Sequence, residues 1–416
     1  MVGIAERRSP LFRIKRANGE TLQMNDHESL DNHRLMDKSL YSDDHIIITV
    51  IRSALGIASD QVSLCKEDVQ RIEIIAKRQS IIPIIIEGLN NLGCSDLLSE
   101  EMNIQKAKAV YDYHQRNESL KQIATAFEAD AIDFIPLKGA VLRVLYPQPW
   151  MRTSNDIDVL VRDSSVERAT VSLEKRTGFK KFKMGFHDVH FANEKVHLEL
   201  HFNLLDDVGL IDDVFALAWN YAKPEENGYC YKFTAEYQMF YIVAHACKHF
   251  KGGGGIGIRP LLDIWLLKTR TVFDDDEVCA LCDKAGILKF YETCISLLST
   301  WFENKSHTAL TRDFEELVLS GGVFGSAHLK ILSRKRRKKG VKYALSRLFI
   351  KNTRLKGMYP ICKKYPILIP LYQMKRWIYL LKPKKQQEVR EELKHARSIS
   401  QADIDRYDGL MKRLGL

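Results

Sequence analysis

The sequence predicts an α+β fold: a small mixed β-sheet flanked by helical N-terminal and C-terminal regions. Three observations predict it. Apolar residues recur at helical spacing from about residue 44 to 130 and again beyond 206. Between them, Asp156-Ile157-Asp158-Val159-Leu160-Val161 and Val196-His197-Leu198-Glu199-Leu200-His201-Phe202 alternate with the period of two that marks half-buried strands. A helical run over 163–177 separates these segments, which gives a sheet of about four or five strands with helices around it.

Residues 1–42 are polar and rich in turn formers, and read as a poorly ordered tail with one short strand near 11–14. A helical lead-in, 43–130, is expected to contain helices at 45–55, 67–77, 81–92 and a long one over 99–130. The core, 131–206, opens with a short buried strand at 132–137, and Lys138-Gly139 then turns into a helix over 140–146. After the Asp-x-Asp strand and helix 163–177, a strand begins at 178–182. Segments 186–193 and 195–203 form a hairpin turning at Asn193-Glu194. A helical lobe fills 207–305, with its clearest helices at 235–250, 261–269, 274–285 and 288–302. A basic helical region, 306–416, is broken by Pro360, Pro366, Pro370 and Pro383.

Composition narrows the function classes. The 416 residues are 45% apolar and 28% charged, enough to bury a large core. No apolar run approaches the roughly 18 to 20 residues that cross a bilayer, so no membrane span is predicted and a cytoplasmic location is expected. Eight scattered cysteines do not form a disulfide framework, and Cys279-x-x-Cys282, without a second pair, is read as structural. The net charge of +10 is unevenly placed: no acid lies between Glu316 and Glu388, where nineteen of the 63 Lys and Arg fall. The segment 330–385 is therefore a candidate contact for a polyanion, or else a solvated helical face.

The chemistry concentrates on the strands. Asp156 and Asp158 share one face of a strand, about 6 to 7 Å apart, while Ile157, Val159 and Val161 share the other. Two acids so placed repel each other unless a cation neutralises them, which makes a divalent ion, Mg²⁺ first, the natural occupant. Glu199, on the later alternating segment, can supply a third carboxylate.

The three blocks LKGAVLRVLYPQPWMRTSNDIDVLV, VHLELHFNL and HACKHFKGGGGIGIRPLLDI, in that order, resemble the bacterial family of uncharacterised nucleotidyltransferases, within the polymerase-beta-type superfamily. The resemblance runs from about 132 to 267. It implies a Mg²⁺-dependent nucleotidyltransferase moving a nucleoside monophosphate from a triphosphate, ATP as first guess, to an unidentified acceptor. Asp156, Asp158 and Glu199 would hold two Mg²⁺ ions. Lys138 and Gly139 would receive the phosphates, since glycine lets the backbone approach and helix N-terminal N–H groups point at the anion. The superfamily has a serine after this glycine where the chain has Ala140, so Lys138 or Thr153-Ser154 must compensate, and Arg152 is a further candidate phosphate contact. The alternatives are a non-catalytic nucleotide- or polyanion-binding module derived from the fold, and a phosphotransferase that uses the same acids on the γ-phosphate.

Histidines crowd the same region. His197-x-Glu199-x-His201 has ligand types for zinc, but two strand residues need a third partner, so the rings are expected chiefly to orient Glu199 by hydrogen bonds. His245 and His249 stand four apart on a helix, with Arg259 and Asp263 paired one turn apart farther on. All four, with His201, are candidate accessory residues of a lobe that closes over nucleotide or acceptor, core packing being the alternative.

Overall fold

A computed structural model describes residues 40–58, 62–185, 187–204, 210–225, 228–253, 255–322, 329, 331–332, 349, 355, 361–380 and 399–416. The chain divides into two units, Met1–Ser42 and Asp43–Leu416, and the features below belong to the second apart from the opening residues of the first helix. The strand expected near 11–14 and most of the basic segment 330–385 lie outside the described residues.

The lead-in is helical: α1 (Leu40–Ala54), α2 (Lys66–Gln79), α3 (Ile82–Asn91) and α4 (Glu100–Ala129). Local chemistry sets the boundaries. Ser99 accepts a hydrogen bond from the Met102 N–H at the start of α4, with Glu100 and Glu101 in its first turn, where the helix dipole favours acids. Pro83 starts α3, where its missing N–H costs nothing. Gly88 of α3 lies against α1 so closely that a Cβ there would fall 2.1 Å from the Val50 carbonyl oxygen.

The sheet has five strands, β1 (Phe134–Pro136), β2 (Asp156–Val161), β3 (Lys180–Met184), β4 (Asp188–Ala192) and β5 (His197–His201), in the order β1-β2-β5-β4-β3. β2 and β5 run parallel and the other pairs antiparallel, so the sheet is mixed as predicted. Asn193 Oδ1 accepts from the Lys195 and Val196 N–H groups at 2.9 and 2.7 Å and so shapes the β4–β5 turn. One face, with Ile157, Val159, Val161, Val189, Phe191, Leu198 and Leu200, packs on Ile123 and Phe127 of α4 and on Ala169 and Leu173 of α6 (Val166–Arg176). The opposite face carries the acids and histidines.

The helix α5 (Gly139–Leu142) is shorter than expected and passes into a 3₁₀ turn, Arg143–Leu145. Tyr146 is extended because the residue before a proline, here Pro147, is driven out of helical conformation. Beyond the sheet come α7 (Leu210–Phe215) and a small hairpin, β6 (Ala222–Pro224) with β7 (Tyr231–Phe233), whose three-residue strands carry too little alternation to be foreseen. Then follow α8 (Ala235–Gly253), α9 (Ile258–Arg270), α10 (Asp275–Lys284), α11 (Leu288–Glu303), α12 (Ala309–Ser320), α13 (Ile361–Lys364), α14 (Ile369–Leu380) and α15 (Gln401–Arg413). Among the described residues no helix is long and apolar enough to cross a membrane. All eight cysteines are free, and burial pushes the Cys279 thiol of α10 up.

Candidate active site

The parallel pairing of β2 with β5 sets Asp158 level with Glu199 and Asp156 level with His197. Neighbouring strands lie about 4.8 Å apart, so the carboxylates project side by side from one face. Ligand atoms of Asp158, Glu199 and His201 all lie within 4.8 Å of one another. Asp158 is almost fully buried, at 4% exposure, and its Oδ1 meets Lys138 Nζ at 2.7 Å and His201 Nε2 at 3.0 Å. Burial opposes its ionisation, but the Lys138 charge and the His201 hydrogen bond outweigh that and hold the carboxyl well below the usual range. Glu199 goes the other way: burial, then the charges of Asp158 and Asp156, push it up. The two neighbouring carboxyls are thus shifted in opposite directions by their surroundings.

Asp156, at the head of β2, acts on Glu199 and His197 through its charge. These oxygen donors on adjacent strands suit a hard divalent cation, which would share Asp158 Oδ1 with Lys138 or displace it.

The turn before α5 differs from the expected one. Lys138 adopts φ 48° and ψ −117°, a conformation that costs a non-glycine residue roughly 1–3 kcal/mol. The strained backbone sends Nζ to Asp158. The N–H groups of Ala140, Val141 and Leu142 donate to the Leu137 and Lys138 carbonyls, and α5 has four residues, so the helix N-terminus predicted to hold phosphate is largely satisfied internally. What surrounds Gly139 is a group of side chains. A Cβ there would meet Arg152 Nη1 at 3.0 Å and Ser154 Oγ at 3.3 Å. Ser154 Oγ is buried without a hydrogen-bond partner, as is Arg116 Nε.

Arg143 donates from Nε to the Gly139 carbonyl at 2.5 Å. Burial and then the guanidinium groups of Arg116 and Arg152 push Arg143 down to about 10. Burial and then Arg152 push Arg259 down to about 10 as well. Buried cations that repel one another behind a glycine turn form a ready environment for an anion.

The helical block reaches the same place. A small cavity is lined by Lys138, His187, His201, Tyr241, His245 and Lys248, with Leu204 and Phe215. His245 Nε2 lies 3.2 Å from His249 Nε2, and burial, then the Lys138 charge, push His245 well down. Burial and then Lys138 lower Lys248 to about 8. The expected Arg259–Asp263 pair does not form within 4.0 Å: Asp263 accepts from Tyr146 Oη at 2.8 Å and from Arg152 at 2.8 and 3.2 Å. Arg259 donates instead to the Thr153 carbonyl at 3.1 Å. A carboxylate shared by Tyr146 and Arg152 ties α9 to the connection between β1 and β2 and engages the Arg152 guanidinium that the sequence had offered to phosphate.

A family model described as an uncharacterised nucleotidyltransferase matches residues 66–303, more than half of the chain. The chain belongs to this family. Among solved structures it is similar to the solution structure of the antibiotic-resistance factor ANT(2'')-Ia, described as revealing substrate-regulated conformation dynamics. The identity is 11% over 46% of this chain and 100% of that one, at a TM-score of 0.32. No curated protein matches the chain.

In this nucleotidyltransferase several residues of the site left no sequence signal. Arg116 lies mid-way along α4 among polar residues, and Arg143 within an apolar stretch. Only the fold brings Arg116 to Arg143, one turn beyond Gly139. Tyr241 and Lys248 follow the spacing of an ordinary buried helix, although their neighbours His245 and His249 drew attention to the segment.

Proposed function

We propose that the protein transfers a nucleoside monophosphate from a triphosphate, ATP as first candidate, to an acceptor hydroxyl. Membership of a nucleotidyltransferase family supports transfer in general. The observation that carries the finer reading is the level register of Asp158 and Glu199 on neighbouring parallel strands, next to Asp156. In this reading Asp156, Asp158 and Glu199 hold Mg²⁺, two ions in the full form of the proposal. When bound, Mg²⁺ neutralises charge on the triphosphate.

The chain's own residues account for the remainder. Ser154 and Arg143, beside Gly139, and Arg116, which acts on Arg143, receive phosphate oxygens, and the Ser154 hydroxyl takes the part that Ala140 cannot. Lys138 moves between Asp158 and the phosphates. Glu199 takes the acceptor proton as the acceptor oxygen bonds the α-phosphorus and the bond to the bridging oxygen breaks, releasing pyrophosphate.

Incubation with α-labelled triphosphates, Mg²⁺ and cell extract should yield a labelled product and pyrophosphate, both lost in Asp158→Asn. Label transferred from the γ-position alone would favour a phosphotransferase and overturn the proposal. One observation favours the non-catalytic module: Lys138 already neutralises Asp158 as an internal cation. That reading expects nucleotide binding that is independent of Mg²⁺, with no pyrophosphate released.

A further inference from the structure

The histidines of the sheet do more than flank the acids. β4 and β5 pair with His190 opposite Glu199 and Ala192 opposite His197, so His190, His197 and Glu199 project from one face of one antiparallel ladder. His190 Nδ1 lies 3.2 Å from His197 Nε2 and 3.5 Å from Glu199 Oε1, and ligand atoms of the three all lie within 4.8 Å of one another. A tetrahedral zinc ion, bound at about 2.0–2.1 Å to its nitrogen and oxygen donors, holds neighbouring ligand atoms about 3.3 Å apart. The two shorter separations therefore already match, and the third partner that β5 alone lacked is His190, supplied across the ladder.

The surroundings are also those of a ligand site. His190 is buried, and its second nitrogen, Nε2, stands 3.2 Å from Asp188 Oδ1 and 3.3 Å from Lys183 Nζ. Asp188 is 7% exposed, and its Oδ1, without a hydrogen bond in this arrangement, is placed to accept from that nitrogen once Nδ1 carries an ion. A carboxylate behind the far nitrogen of a histidine fixes the ring and raises its basicity toward a metal. The Phe182 ring lies against His190 and His197, with centroids 5.9 and 5.5 Å away, and covers them from one side. Glu199 Oε2 turns the other way, 3.6 Å from His201 Nε2, on the side of Asp158.

We infer that His190, His197 and Glu199 bind one borderline-soft divalent cation of the zinc type, at a site separate from the acid pair of β2 but joined to it through the two oxygens of Glu199. Two imidazoles select such an ion over Mg²⁺, which takes oxygen ligands and water. Three protein ligands leave a fourth position open. Asp188 is a positioning residue for this ion, acting through His190. The site does not depend on nucleotidyl transfer, and its test uses no nucleotide.

The full, untagged chain is stripped of metal and titrated with Co²⁺, whose visible absorption reports tetrahedral coordination, and the bound ion is then displaced with Zn²⁺. One equivalent of tetrahedral Co²⁺, displaced by Zn²⁺, is expected. His190→Gln and His197→Gln should each weaken binding by at least about tenfold and Asp188→Asn by about 10–100-fold, while Asp158→Asn leaves the band in place. Circular dichroism establishes that each variant folds, and His197, partly exposed on β5, decides the matter alone if His190→Gln does not. Absence of the band, or Co²⁺ affinity unchanged in folded His197→Gln, overturns the inference. Loss of the band in folded Asp158→Asn does so too, by assigning the ion to the acids.

Discussion

At the scale of single residues, the sign of each charge shift yields a test. Because the fold raises the Glu199 carboxyl, the folded chain holds that proton more tightly than the unfolded chain does. Stability is therefore lost as pH rises from the ordinary glutamate value, roughly 4.3, through the raised one. In metal-free protein at neutral pH, Glu199→Gln should raise the melting temperature while weakening divalent-ion binding, and a lowered melting temperature would contradict the assignment. Ser154→Ala removes a hydroxyl that has no partner in the fold. Urea denaturation should change little, while affinity for triphosphate falls by about 3–10-fold, the worth of one hydrogen bond. The acids were legible in the sequence because alternation alone aligns Asp156 with Asp158. The approach of Arg116 to Arg143 and the Lys138–Asp158 contact were not, since each joins residues far apart in the chain through turns that no pattern encodes.

At the scale of elements, the site depends on the parallel seam between β2 and β5, and the seam depends on helices packed behind it. The helix expected over 99–130 is α4, Glu100–Ala129, and its Ile123 and Phe127 back the sheet. Such elements were readable because long apolar periodicity and a capping serine mark them. The short ones were not: β6 and β7 have three residues each, and α5 has four before it passes into a 3₁₀ turn. Close backbone approach leaves its mark in glycine. A Cβ at Gly88 would fall 2.1 Å from the Val50 carbonyl oxygen, so Gly88→Ala must push α3 off α1. It should cost about 1–3 kcal/mol or more in denaturant titration, and a cost below about 0.5 kcal/mol would show that the two helices separate freely.

At the scale of the whole molecule, the Asp43–Leu416 unit brings the glycine turn, the polar sheet face and α8 around one cavity, so residues that the sequence scatters from Lys138 to Lys248 face the same space. The order of the three sequence blocks pointed to the family, and the family match over 66–303 agrees. The charge asymmetry was legible too, in the stretch between Glu316 and Glu388 that holds nineteen Lys and Arg and no acid. The central claim is that the neighbouring acids of β2 and β5 hold a divalent ion under a nucleotide. Isothermal titration of ATP, CTP, GTP and UTP with and without Mg²⁺, into the native chain and into Asp156→Ala plus Asp158→Ala, tests it most directly. The account predicts binding of at least one triphosphate that requires Mg²⁺ and weakens by at least about tenfold, or about 1.4 kcal/mol, in the double variant. Binding that is indifferent to Mg²⁺ and unchanged by the substitutions, or no binding of any of the four, would contradict it.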